Sequence, residues 1–334
     1  MNQKVSKALR ITLASVCAFG AVLLLGFATI NIVQYAYYQE YQSVRTDVVL
    51  NYGLNKPFAT QGLEYVPSID TYITSSYSDK KDQASAIFVS DDDYFNIINR
   101  DGSIHKGHVG GIAIHEESDR LFISDNKGLS VVRLSELTAN YKKPDKLHII
   151  ENHNFEIYTT GTSFVFVDGD FLYTGEFYNE KPYAASGYRF EYKNQLSCAL
   201  VTKYAIDDLN TPLSYIAVPD KVQGLAFKDG FIYLSTSYAL ANSHIFTYNL
   251  DKAIEDGAVI DYAFGADMER KSVVFLGSDH LVHDLTAPCM TEDMTIATVN
   301  GKPQLITHFE SASTKYIIGK FYFQNYIVAL DILR

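Results

Sequence analysis

The chain repeats itself. Gln61-Gly62-Leu63-Glu64-Tyr65 leads to Tyr72-Ile73-Thr74-Ser75-Ser76-Tyr77 and then to Ser85-Ala86-Ile87-Phe88-Val89. The same three blocks return, in order and with similar gaps, as Gln223-Gly224-Leu225-Ala226-Phe227, Tyr233-Leu234-Ser235-Thr236-Ser237-Tyr238 and Ser243-His244-Ile245-Phe246-Thr247. Three weaker copies begin at Gly110, Ser163 and Glu292. With starts at 61, 110, 163, 223 and 292, the intervals are 49, 53, 60 and 69 residues. A plan repeated in this way requires each copy to be one supersecondary unit that buries its apolar face against its neighbours.

Each copy reads as short strands. Runs of four to eight β-branched and aromatic residues are bounded by turn residues. Asp168-Gly169-Asp170, Lys228-Asp229-Gly230 and Asn300-Gly301-Lys302 stand between first and second strands, where a hairpin must turn. Several strands per unit at this period indicate an all-β fold, a β-propeller of five blades, with six as the alternative if the 69-residue interval hides one. Ser272 to Leu276 and Leu281 to Leu285 can instead be an outer strand and a crossing strand of the fourth blade, and Leu250 to Gly257 reads as the one inserted helix. Val44 to Leu50 can pair with Tyr326 to Ile332 to close the ring and remove the exposed sheet edges.

Ahead of the repeats, Ile11 to Val33 is 23 positions without a charged side chain. As a helix it would reach about 34 Å, enough for a ~30 Å hydrocarbon core. Lys4, Lys7 and Arg10 precede it, Glu40 is the first charge after it, and Tyr35, Tyr37, Tyr38 and Tyr41 follow as an aromatic belt. The expected organisation is a cytoplasmic basic tail at 1–10, a signal-anchor helix at 11–33, a juxtamembrane linker at 34–43 and an extracellular propeller at 44–334. A cleaved signal peptide is the competing reading, with Gly26-Phe27-Ala28 as its cleavage motif. Cys17 lies in the apolar run and reads as an ordinary membrane residue.

In a blade the start of strand one and the end of strand two lie at the same end of the channel, because the two are antiparallel neighbours. Strand-one starts carry Gln61, His108, Gln223 and Glu292. Strand-two ends carry Ser76, Asp125, Glu176, Ser237 and Glu310. These nine residues are the ligand-binding candidates, expected together at one channel mouth. Their carboxylates offer ligands to a cation such as Ca²⁺, or hydrogen bonds to a polar ligand such as a sugar. His108 beside a carboxylate has the makings of a general base. The plainer account is that a water-filled channel is lined by polar residues in any case, and that strand-end Ser and Asp satisfy turn backbone.

Other signals are weaker. Asp91-Asp92-Asp93 reads as a solvated turn. His105-x-x-His108 and His280-x-x-His283 have a spacing that strand alternation would split between faces. Cys198 and Cys289 fall in different blades, and the sequence leaves open whether they pair. There is no nucleophile elbow, phosphate loop or dinucleotide fingerprint. Lys and Arg total 28 against 39 Asp and Glu, a net charge of −11, which excludes a general nucleic-acid binder.

Several stretches together resemble a family of secreted or membrane-anchored bacterial β-propeller proteins. They are Gln61-Gly62, Gly107-His108-Val109-Gly110-Gly111-Ile112-Ala113, Leu172-Tyr173-Thr174-Gly175-Glu176-Phe177, Val222-Gln223-Gly224, Pro288 through Glu292, and Phe309-Glu310-Ser311-Ala312. At the level of fold they are similar to strictosidine-synthase-like and gluconolactonase-like propellers, which are six-bladed. The resemblance implies an architecture and no particular activity. The expected function is therefore a surface-anchored propeller that binds a polar ligand, a glycan or an envelope protein at the channel mouth. The alternative is an extracellular hydrolase or lyase acting on a lactone, ester or glycan at the same mouth.

Overall fold

The computed structural model describes residues 2–125, 128–155, 157, 161–180, 188–264, 270–316, 318–322 and 324–334; the side chains of residues 2–11, 23, 24, 27, 31 and 321 also stand outside the description. Gly187-Tyr188-Arg189-Phe190 and Lys315-Tyr316-Ile317-Ile318 read as the third blocks of the third and fifth copies; of these, Gly187 and Ile317 lie outside the described residues. The chain divides into two compact units, Met1–Ser43 and Val44–Arg334.

The first unit is helical. Helix α1 (Asn2–Tyr37) carries the whole uncharged run and continues four residues beyond the expected end at Val33. A short α2 (Gln39–Val44) follows. Leu13, Val16, Phe19, Val22, Leu25 and Ile32, which point in several directions around α1, are all exposed. Among the fully described residues no helix is long and apolar enough to cross a membrane.

The second unit opens with β1 (Arg45–Leu50). Then β2 (Ala59–Val66), β3 (Thr71–Tyr77), β4 (Ala86–Phe88) and β5 (Tyr94–Ile98) pair antiparallel in chain order. β6 (Ile112–His115), β7 (Arg120–Asp125), β8 (Gly128–Arg133) and β9 (Lys146–Asn154) repeat the plan. β9 also runs parallel to β5, which merges the two groups into one eight-stranded sheet. The third group is β10 (Phe164–Asp168) and β11 (Phe171–Gly175), then a separate hairpin of β12 (Phe190–Tyr192) and β13 (Gln195–Ser197), then β14 (Ala199–Ala205) and β15 (Asp208–Val218). In the fourth, β16 (Val222–Lys228), β17 (Phe231–Thr236) and β18 (Ser243–Asn249) precede β19 (Val259–Ala263), β20 (Arg270–Phe275) and β21 (Leu281–Ala287). Last come β22 (Thr291–Val299), β23 (Lys302–Phe309) and β24 (Tyr326–Leu330), with β1 on the free edge of β24 from Arg45↔Leu330 to Leu50↔Tyr326. One sheet thus takes strands from both ends of the unit, as the sequence led us to expect.

The first strands form a cycle. β2 lies beside β6 and β22, β6 beside β10, β10 beside β16, and β16 beside β22. Each group extends outward from this cycle, which is the plan of a β-propeller. The apolar cores sit between neighbouring groups. Ile73, Ile87 and Phe95 pack with Leu121 and Ile123; Phe122 and Val131 pack with Leu172 and Leu200; Leu63 and Phe88 pack with Ile306 and Ile327. The recurring aromatics Phe122, Tyr173 and Tyr233 are buried in such seams, each worth roughly 1.5–3 kcal/mol of transfer free energy.

Turn chemistry behaves as the dipeptides demand. Asp229 and Gly230 have φ of 48° and 80°, and Asn300 and Gly301 have 53° and 77°, the left-handed pair that suits a two-residue hairpin. Two expectations need correction. β21 is the outer strand of the fourth group, but β20 is not its neighbour: it leaves the fourth group, lies parallel to β15 and, with β19, widens the third. The long interval is therefore filled by helix α4 (Leu250–Glu255) and this excursion; α4 is capped by the Asn249 side chain, which accepts from Lys252 N at 2.8 Å. Helix α4 is also not the one helix of the unit, because α3 (Leu134–Asn140) connects β8 to β9.

Candidate functional site

Strand register decides which candidates share a level. Leu63 pairs with Thr74, Ile112 with Ile123, Phe164 with Gly175, Leu225 with Leu234 and Met294 with Thr307. One residue earlier on the first strands, Gly62, Gly111, Ser163, Gly224 and Asp293 are therefore equivalent. At the glycines the backbones crowd. A Cβ on Gly62 would lie 2.9 Å from Ile112 N, and one on Gly224 would lie 2.6 Å from Asp293 Cα.

Serines one step away on the second strands bridge the neighbouring groups. Ser75 Oγ accepts from Gly62 N at 2.8 Å and donates to Val109 O at 2.6 Å. Ser124 Oγ accepts from Gly111 N at 2.6 Å and donates to Ser163 O at 3.1 Å. Ser235 Oγ donates to Glu292 O at 2.6 Å. The repeated Ser was visible in the quoted blocks; its partner, a backbone group of the next unit, was not.

Asp293 holds the axis together and was not among the candidates. It is fully buried. Its Oδ2 accepts from Leu63 N and Ile112 N, both at 3.1 Å, so one carboxyl ties three first strands. Burial keeps this carboxyl well above the usual carboxylate range. Its place in the repeat is the one that Gly62, Gly111 and Gly224 fill in three other copies.

The same register corrects the expected ring of strand-two residues. Glu176 stands level with Ser75, Ser124 and Ser235; Ser76 and Asp125 stand one residue further on; Ser237 and Glu310 stand two further on. Side chains alternate between faces along a strand, so these five do not form one ring. Among the strand-one candidates Gln61, Gln223 and Glu292 are level, but Gly110 holds that level in the second repeat. His108 lies two residues earlier, before a Val109 of positive φ.

One corner of the mouth is a connected network. Gln61 Nε2 donates to Glu310 Oε1 at 2.8 Å, and Tyr77 OH lies 3.4 Å from the same oxygen. Tyr77 OH is also 3.4 Å from Tyr316 OH and accepts from Lys315 Nζ at 2.7 Å. His108 is exposed and stacks on the Tyr77 ring at 4.7 Å. Glu292 is buried close by. Burial, then the negative charges of Glu310 and Asp293, hold its carboxyl well above the ordinary range. Burial raises Glu310 to about 7, against the lowering influence of Tyr316, Lys315, Tyr77 and Gln61. Beneath this corner His308 is fully buried. Its Nε2 lies 2.8 Å from Gln61 O, and burial lowers it to about 4. Of the nine candidates this corner joins Gln61 and Glu310 by a direct bond, with Glu292 and His108 beside them. Tyr77, Lys315 and Tyr316 are additions that come from the loop after β23 and the end of β3.

A second corner surrounds Asp125. The histidine that reaches a carboxylate is His105, not His108: His105 Nε2 lies 3.3 Å from Asp125 Oδ2. Asn99 Oδ1 holds His105 Nδ1 at 2.8 Å and Ser130 Oγ donates to Asp125 Oδ2 at 3.2 Å. Burial lowers the His105 imidazole and raises the Asp125 carboxyl. Ser76, Glu176 and Ser237 are buried and Gln223 is half-buried.

Among the described residues the three side chains whose ligand atoms lie within 4.8 Å of one another are His115, Glu117 and Asp170, and none of the mouth carboxylates belongs to such a group. That trio sits at the turns between first and second strands, away from the mouth. The Asp91 to Asp93 turn behaves as a turn, with Ser90 and Asp93 bonded to each other and Lys56 paired to Asp92. Cys198 and Cys289 are buried and do not form a disulfide.

No family model matches the chain, and no curated protein matches it. Among solved structures it is similar to a luciferin-regenerating enzyme, at 10% identity over 85% of this chain and 95% of that one, with a TM-score of 0.45. It is also similar to a chain of a nidogen/laminin complex, at 12% identity over 82% and 86%, with a TM-score of 0.41. The fold assignment stands on the strand pairing, and these likenesses say nothing about activity.

Proposed function

We propose that the chain is a membrane-anchored, five-bladed β-propeller that binds a polar ligand, a glycan or an envelope protein, at the Gln61–Glu310 corner of the channel mouth. The observation that carries this reading is the Glu310 carboxyl. It is buried at the end of a second strand, its partners come from β2, β3 and the loop after β23, and its proton affinity is tuned to near neutrality. Buried, mutually hydrogen-bonded polar groups at a concave opening are what a polar ligand needs for orientation. The five-fold reading is supported by the cycle of β2, β6, β10, β16 and β22.

The anchor reading is supported by the 23 uncharged positions inside α1, by the exposed apolar side chains around it, and by the three basic residues before it. Carbonate extraction of membranes tests it: the chain should stay in the pellet, and release into the supernatant overturns the anchor.

Thermal unfolding with a panel of sugars and peptides tests the site, because a ligand of the folded state raises its stability. Hits should lose their shift in Glu310→Gln and keep it in Asp170→Asn, which is far from the mouth. Equal shifts in both variants overturn the site. A hydrolase or lyase is the second reading, favoured by the two buried carboxyls of Glu292 and Glu310, one able to hold the proton the other lacks. It requires turnover of a lactone, ester or glycan that Glu292→Gln abolishes.

A further inference from the structure

We infer that the mouth corner is a site for a primary ammonium group on a short carbon chain, and that the chain's own Lys315 occupies it as a tethered competitor. The inference rests on the reading of this corner as the ligand site and names its ligand class.

The surroundings of the Lys315 ammonium are those of a cation receptor. Nζ donates to Tyr77 OH at 2.7 Å and lies 3.3 Å from the Asp79 carboxylate. It stands 4.5 Å from the centre of the Tyr77 ring and 5.6 Å from that of Tyr316. Aromatic faces attract a cation through their quadrupoles, and the attraction grows as water is removed. Glu310 lies behind the Tyr77 hydroxyl and adds negative charge to the same wall when it ionises. The donors discriminate among cations. A hydroxyl and a carboxylate oxygen accept from an NH₃⁺ group, which has three donors, and find no donor on a quaternary ammonium.

The geometry also supplies room for the carbon chain. A recess of about 180 Å³ opens beside the ammonium, walled by Pro57, Phe58, Ala59, Thr314, the exposed Lys80 and Lys315 itself, beside Tyr77 and Asp79. At roughly 30 Å³ of liquid per water that is the space of a few carbons. Lys315 closes one side of it, comes from the loop after β23, and is 35% exposed, so the side chain can swing into solvent and leave the cage to a second ammonium. A covalently tethered group competes at an effective concentration in the millimolar range. Weak free amines therefore compete poorly while Lys315 is in place.

The test is calorimetric titration of the full chain in detergent micelles with n-butylammonium chloride. Lys315→Met keeps the length of the side chain and removes the charge. The expected result is an apparent affinity for n-butylammonium at least tenfold higher in Lys315→Met than in the wild type. No such gain is expected for 1-butanol or tetramethylammonium, and Asp79→Asn added to Lys315→Met should remove it. Glucosamine and Nα-acetyl-lysine methylamide, titrated in parallel, distinguish an amino-sugar source from a lysyl one. Lys315→Gln replaces Lys315→Met if the latter loses its thermal transition. A folded variant that gains no affinity for n-butylammonium overturns the inference, as does an equal gain for tetramethylammonium. If neutral sugars still bind and lose binding in Glu310→Gln, the mouth remains the ligand site and only the ammonium assignment falls. If no hit depends on Glu310, the mouth reading falls with it.

Discussion

The corner at Glu310 and the corner at Asp125 are made of similar parts, a buried carboxyl near a histidine at the end of a second strand, yet they differ in what surrounds them. Around Glu310 the partners come from three separate places: Gln61 on β2, Tyr77 on β3, and Lys315 and Tyr316 on the loop after β23. Around Asp125 each bonded partner lies on the adjoining β8 or on the segment that leads into the second repeat. A long-range network leaves a gap that a ligand can enter between elements. The local one closes on neighbouring strands, although Asp125 Oδ1 within it has no hydrogen-bond partner among the described residues. The repeat supplies both, because a shift of one residue in register turns the polar side chain towards a different neighbour.

Both corners hang on the same axis, so the largest effect should come from crowding it. Gly62→Ala places a Cβ 2.9 Å from Ile112 N and 3.0 Å from Gly111 C, both backbone. Overpacking against atoms that cannot step aside should cost about 3 kcal/mol or more. Denaturant unfolding should show a lower midpoint, and the loss should reach both corners; a variant as stable as the wild type would mean that the first strands are not in this contact.

Acidity separates the corners next. Glu310 binds its proton up to about pH 7 in the folded chain, whereas an ordinary glutamate releases it near 4.5. Between those values the folded state holds more protons than the unfolded one, so this group's contribution to stability is intact below about pH 4.5 and falls as pH rises to 7. At ~1.4 kcal/mol per unit the loss is at most about 3.5 kcal/mol. His308 acts in the opposite sense, because its pKa is lowered to about 4: its contribution is lost as pH falls from 6.5 towards 4. The difference between wild type and Glu310→Gln isolates the carboxyl. Glu310→Gln should gain stability relative to wild type as pH is raised from 5 to 7.5. At the Asp125 corner the raised carboxyl and the lowered imidazole oppose each other, so removing both in His105→Gln/Asp125→Asn should tilt the pH profile less than Glu310→Gln does. Parallel profiles for wild type and Glu310→Gln would remove the electrostatic distinction between the corners.

The seams between groups should respond by a smaller and more even amount. Ser75→Ala and Ser124→Ala each strip a buried glycine N–H and a buried carbonyl of their partner, at about 1–3 kcal/mol. If the staples are equivalent, the two losses agree to within a few tenths of a kcal/mol.

These residues also mark how far the sequence could be read. Repetition and turn chemistry revealed the strands, their antiparallel order within a unit and the closing pair of β1 with β24, because each depends on local pattern. Register did not show. Bulges between Thr60 and Leu63, and between Thr291 and Met294, displace the strand starts, and no alternation pattern reports an inserted residue. That is why Gln61 and Glu310 were found while Asp293, in a position that reads as glycine in three other copies, was overlooked. His108 stood in for His105 because both precede β6, where no strand alternation says which side chain turns to Asp125. Lys315 and Tyr316 read as part of the fifth copy but sit in the loop after β23, where periodicity carries no information.

The smallest effect should come from the opposite end of the propeller. His115, Glu117 and Asp170 gather three ligand atoms, more than either corner brings together, but they do so on exposed turns. Asp170 is 85% exposed, and its approach to His115 is 3.9 Å. Water already solvates such groups, so bringing them together gains little and costs side-chain freedom. Asp170→Asn should change stability by less than about 0.5 kcal/mol. Added calcium or zinc should raise the unfolding temperature equally in wild type and variant, or not at all. A metal-dependent shift that vanishes in Asp170→Asn would reverse the ranking. Exposure would then have been the wrong guide to where this molecule binds, and the buried corners would be support for the axis alone.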